Sequence, residues 1–132
     1  MADKFGFTKL LVADLEKSAV FYKSVFELTE LARVQSSITG REISEIMFNP
    51  TGEGAATFVL LTYVGTEKPS SEEVILGFIT EDLEALLGRV TAAGGMVTQP
   101  IKAMPEHGIK VAFAKDPEGH VLELVEMLAA HG

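Results

Sequence analysis

The feature that most restricts the fold of this chain is an internal repeat. Asp14, Leu15 and Glu16 match Asp82, Leu83 and Glu84, 68 residues further on. Three identities carry little weight alone, but the structural signals around them repeat too. In each copy a β-like run leads to an Asp suited to cap a helix, its carboxylate accepting N–H groups of the first turn. Apolar residues then recur at helical spacing: Leu15, Ala19, Tyr22, Val25 and Phe26 in one copy, Leu83, Leu86, Leu87, Val90 and Ala93 in the other. Gly94 and Gly95 can end the second helix in a left-handed turn.

Three β-like runs follow each helix, at about 28–37, 41–48 and 56–63, then at about 97–103, 109–115 and 120–126. Asn49 to Gly54 makes one turn, and Asp116-Pro117-Glu118-Gly119 makes another with Pro at its favoured second position. The order predicts an α+β domain of two tandem βαβββ units, at about 5–64 and 74–127. The polar stretch at about 65–73 reads as the linker.

With 132 residues and 47% hydrophobic content, the chain can bury a core as one domain. It has no Cys, which excludes disulfides, thiolate metal sites and a Cys nucleophile. A net charge of −8 argues against nucleic acid, whose phosphates need clustered Lys and Arg. No apolar run approaches the roughly 20 residues that span a bilayer, and no leader is visible. A cytoplasmic protein without membrane contact is expected.

Three stretches then resemble the vicinal oxygen chelate superfamily, which includes glyoxalase I, bleomycin-resistance proteins and extradiol dioxygenases. They are Leu11 to Phe26, Gly94 to Val97, and Ala112 to Leu124, the last carrying Asp-Pro-x-Gly before a strand ending in Glu-Leu. The resemblance covers about residues 5–127 and implies a cupped mixed sheet with helices on its outer face. It also implies a homodimer in which sheets from two chains complete each cup. Relatives usually place Gly after the first helix; here Glu27 stands there, so a differently built helix end is expected.

Side chains alternate across a strand, so one assignment sets the others. The resemblance puts Glu123 in the cup, with Val121 beside it. The same alignment turns Phe7, Lys9, Phe58, Leu60, Thr62, Ile75 and Gly77 inward. Leu10, Val12, Val59, Leu61, Leu76 and Phe78 are then expected under the helices. In metal-dependent relatives four inward positions supply ligands, and these correspond to Phe7, Leu60, Ile75 and Glu123. Only Glu123 can donate to a cation, so no metal and no other cofactor is expected. His107, His120 and His131 are not placed to rebuild the site, His120 facing away from Glu123 by parity.

An isolated carboxylate in an apolar cup is unfavourable and should be paired, hydrogen-bonded or protonated. Lys9 is the leading protein partner, with Arg33, Arg41 and Lys110 as alternatives. Glu123 is thus either a structural ion pair or a solvated carboxylate at the cup rim, or it anchors a ligand's polar group or acts as a general base. His107, in a loop that overhangs the cup in relatives, is a candidate ligand contact. The first functional expectation is metal-independent binding of a small, partly apolar molecule. The alternative is a glyoxalase-like lyase or isomerase, or a dioxygenase-related enzyme, acting through Glu123 at a non-standard site.

Overall fold

The computed structural model describes residues 5–65, 69, 71 and 73–128. It divides into two compact units, residues 1–69 and 70–132. Much of the expected linker, at 66–68, 70 and 72, lies outside the described residues.

The first unit runs β1 (Phe7–Leu11), α1 (Leu15–Phe26), β2 (Glu30–Ile38), β3 (Arg41–Phe48) and β4 (Thr57–Tyr63). Its sheet has the order β1-β4-β3-β2, with β1 parallel to β4 and the other pairs antiparallel. Asp14 caps α1 as expected, its side chain accepting the Lys17 N–H at 3.0 Å. Such a cap stabilises a helix by about 1 kcal/mol. At the other end the expectation fails. Glu27 itself takes the left-handed conformation, with φ 57° and ψ 32°, so the helix ends in the usual geometry despite the side chain.

Register decides which side chains lie under α1. Leu10 pairs with Leu60, and Leu60 with Ile46, so these three share a face with Phe58 and Phe48. Tyr22 of α1 stacks against that face, 5.2 Å from the Phe58 ring, and Phe58 lies 5.9 Å from Phe48. Tyr22, Phe48, Ile46 and Leu60 are fully buried there. Each close ring pair adds about 1 kcal/mol beyond the area it buries. Val12, Ala19 and Val25 complete the buried layer.

The second unit repeats the order: β5 (Ile75–Thr80), α2 (Leu83–Ala92), β6 (Met96–Met104), β7 (Ile109–Lys115) and β8 (Val121–Met127). A 3-10 turn at Pro105–His107 joins β6 to β7. The sheet order is β5-β8-β7-β6, again with its first pair parallel. Asp82 accepts the Ala85 N–H at 3.1 Å. Gly94, at φ 92°, closes α2: the Gly95 N–H reaches Val90 O and the Gly94 N–H reaches Thr91 O. These are the paired bonds of a Schellman cap. Leu83, Leu86 and Val90 of α2 are buried, as are Leu122 and Leu124 of β8. Glu126, on the same face of β8 as Leu122 and Leu124, accepts the Leu83 N–H at 2.8 Å and ties the strand to the helix start.

The α+β class and the repeated βαβββ order therefore hold, each unit forming its own mixed four-stranded sheet. Among the described residues no helix is long and apolar enough to cross a membrane.

Candidate functional site

In the second unit, the face turned away from α2 is set by one row of residues. Gly77 of β5 pairs with Glu123 of β8, Glu123 with Phe113 of β7, and Phe113 with Gln99 of β6. Residues directly in register point to the same side. Glu123 thus stands mid-sheet with an aromatic ring on one flank. Its other flank is a glycine, where an added Cβ would meet nothing within 4 Å. Val121 and Val125 lie above and below Glu123 on its own strand, and Ile75 is 59% exposed on the neighbouring one.

Glu123 is half-buried, and among the described residues it has neither an ion-pair nor a hydrogen-bond partner. Each expected partner is engaged elsewhere. Lys9 Nζ lies 2.6 Å from Glu45 Oε2. Arg33 donates to Glu16 and Glu30, which drives its guanidinium pKa above the usual arginine value. Arg41 stacks 3.8 Å over the Tyr63 ring. Lys110 sits 3.4 Å from Glu126, on the α2 side of the sheet. The expected pairing of Glu123 with Lys9 is replaced by one between Lys9 and Glu45.

In the first unit, Phe7, Lys9 and Leu11 share the face away from α1 with Thr57, Val59, Leu61 and Tyr63. This corrects the expectation for β4. Phe58, Leu60 and Thr62 point toward α1, while Val59 and Leu61, expected under the helix, lie on the opposite face. The physical cause is the period of two: a phase error of one residue moves every side chain of a strand to the other side. The repeat shows the same thing. Lys9 pairs with Val59 as Gly77 pairs with Glu123, so Val59 is the counterpart of Glu123 in the first sheet.

His107 is exposed at the end of the 3-10 turn, just before Gly108 at φ 68°. It shares neither a hydrogen bond nor an ion pair with Glu123. His120 is buried, with Nδ1 2.7 Å from Asp116 Oδ2, and serves the turn rather than the face. His131 lies outside the described residues.

The resemblance assigns metal-ligand positions to Phe7 and Leu60 in the first unit and to Ile75 and Glu123 in the second. Leu60 turns toward α1, and of the four only Glu123 carries an oxygen donor. Neither unit thus brings together at those positions the several N or O donors that a resident divalent ion needs. Among the described residues no group of three or more His, Asp or Glu is placed to hold one.

Reasoning from sequence missed Glu45. It is 6% exposed in the central strand β3, on the same face as Lys9. Its signal was available: a Glu alternating with Ile43 and Met47 in a strand otherwise rich in apolar residues.

Comparison with known proteins agrees with the architecture. A probable lactoylglutathione lyase of Vibrio cholerae is 29% identical over 130 residues, covering 94% of this chain and 91% of that protein. One from Vibrio parahaemolyticus is 30% identical, covering 90% and 87%. A glyoxalase-related enzyme from Fulvimarina pelagi superposes with a TM-score of 0.67 at 26% identity, covering 95% of this chain and 88% of that one. A glyoxalase family protein from Bacillus cereus matches the fold at a TM-score of 0.83 and 15% identity, covering 98% and 97%. The family model of the Glyoxalase/Bleomycin resistance protein/Dioxygenase superfamily matches residues 4–124, and the chain belongs to that superfamily.

Proposed function

We propose that this protein binds a small, partly apolar molecule without a metal ion, on the sheet face that carries Glu123. One observation carries the reading: a half-buried carboxylate stands among Val121, Val125 and Phe113 with no protein partner among the described residues. A carboxylate in such surroundings is costly unless something balances it, and a ligand's polar group would do so. Gly77 leaves the room for that group. Ile75, Val121 and His107, in the same unit as Glu123, remain the other proposed contacts there; Phe7 and Lys9 are proposed contacts on the first unit's own face. The reading is of a cytoplasmic homodimer, the two chains completing each cup; a monomer by light scattering at micromolar concentration would remove that part.

A second reading is a glyoxalase-like lyase or isomerase in which Glu123 moves a proton as general base. The relatives called probable lactoylglutathione lyase favour it. A fold shared with enzymes does not by itself carry their chemistry.

Three experiments test these readings. Elemental analysis of protein purified without a metal-binding tag should find no stoichiometric Zn, Ni, Mn or Fe; stoichiometric metal would overturn the metal-independent reading. Thermal-shift screening against small aromatic, neutral and cationic compounds should raise the unfolding midpoint for some of them. Formation of lactoylglutathione that disappears in Glu123→Gln would establish the enzyme instead.

A further inference from the structure

The row Gly77, Glu123 and Phe113 has a counterpart in the first unit, where Lys9 pairs with Val59 and Val59 with Met47. The two rows treat charge in opposite ways. In the first, the lysine is matched within its own sheet, Glu45 Oε2 lying 2.6 Å from its Nζ. In the second, a glycine takes the lysine's place, and Glu123 has neither an ion pair nor a hydrogen bond among the described residues. Lys115 shares the face, in register with Val121, but the group it engages is not Glu123.

Gly77 makes a notch in that face. Ile75 and Ile79 stand on either side of it along β5, 59% and 76% exposed, and Gly77 between them is exposed as well. Four residues of strand set the two isoleucines about 13 Å apart at the backbone. Nothing lies within 4 Å of where a Gly77 Cβ would be. One strand inward from the notch is the Glu123 carboxylate, and one strand further is the Phe113 ring. Residues directly opposite in antiparallel strands have Cβ atoms about 5 Å apart, so one small group can touch ring and carboxylate together.

We propose that Glu123, Phe113 and the notch at Gly77 form a subsite for a planar organic cation, an amidinium or guanidinium carried on an apolar body. The inference rests on the binding reading above and narrows its ligand class. A neutral donor would satisfy the carboxylate's hydrogen bonds and leave its charge, whereas a cation answers both. An anion would meet that charge directly, in a chain of net charge −8. Among cations, a planar one presents two parallel N–H donors to a carboxylate and lays its face on an aromatic ring, so it uses both neighbours at once. Its apolar body would cover Ile75 or Ile79, large side chains otherwise left exposed.

The test compares benzamidine, benzamide and benzoate, alike in shape and respectively cationic, neutral and anionic at neutral pH, by NMR titration of the full chain. Benzamidine should shift the Gly77, Phe113 and Glu123 amide resonances and bind roughly tenfold more tightly than benzamide, with benzoate weakest. Glu123→Gln should bring benzamidine down to the affinity of benzamide. Gly77→Lys fills the notch without a backbone clash and sets a cation directly opposite Glu123, and should lower benzamidine affinity by roughly tenfold. Benzamidine binding that survives either variant undiminished would overturn the cation subsite. Benzamide that shifts the same resonances with equal affinity would overturn it too, and leave the binding reading standing. No response on that face to any of the three probes would sink both.

Discussion

The Asp116 carboxylate holds His120 from two directions: Oδ2 lies 2.7 Å from the imidazole Nδ1, and Oδ1 accepts the His120 backbone N–H at 2.9 Å. Oδ1 also takes the Glu118 N–H, and the Gly119 N–H closes the turn onto Asp116 O. A carboxylate oxygen accepts, so Nδ1 carries the imidazole proton. Both side chains are nearly fully buried, which makes the turn between β7 and β8 part of the core.

Removing that carboxylate strips three donors of their acceptor inside the protein. Asp116→Ala should therefore cost about 3 kcal/mol, at 1–3 kcal/mol for each buried donor left unsatisfied and with partial rescue by water. Urea unfolding of the variant measures it. A loss under about 1 kcal/mol would mean that the turn stands on its backbone bonds alone.

The two faces of the sheets make opposite predictions. Leu60 is fully buried against α1, so Leu60→Ala should destabilise by about 2–5 kcal/mol and leave ligand affinity unchanged. Glu123→Gln should do the reverse, shifting stability by under about 0.5 kcal/mol while altering binding. Denaturation and titration of both variants check the pair. A Leu60→Ala protein of native stability would contradict the register of β4.

Glu27 ends α1 at φ 57°, a conformation in which a side chain is strained. Glu27→Gly should relieve the strain and raise stability by about 1 kcal/mol. Thermal unfolding tests it, and a lowered midpoint would mean that the Glu27 side chain contributes more than its backbone costs.

Glu126 predicts an acid dependence. The Leu83 N–H, and then Lys110, hold its carboxyl below the ordinary value of 4.5. A group with a depressed folded pKa stabilises fully above its unfolded value and loses that contribution as pH falls through the folded one. The advantage of native protein over Glu126→Gln should thus be complete near neutral pH and shrink as the pH drops below 4.5. Urea unfolding at about pH 7 and about pH 3 measures the change. A constant difference would show that the bond to Leu83 does not depend on charge.

Most of the fold was legible without coordinates, for a local reason. The strands at 41–48 and 109–115 lie where their alternation and bounding turns place them. The caps at Asp14 and Asp82 and the Gly94–Gly95 stop are contacts within a few residues, written in adjacent letters. Glu27 marks where such reading fails: local strain forecast a different helix end, and the surrounding structure imposed the usual one.

The site was less legible because it depends on which residue lies beside which across the sheet. The chain's own pattern established a duplicated βαβββ order, the absence of thiol chemistry, and an acid at position 123 flanked by apolar residues in the last strand. Only the pairing of distant strands decided that Leu60 turns to the helix and Val59 away from it, and that Lys9 meets Glu45 rather than Glu123. In a strand such as Phe58 to Leu61 both faces are apolar, so hydrophobicity cannot tell one phase from the other. A shift of a single residue, invisible in composition, exchanges the two sides.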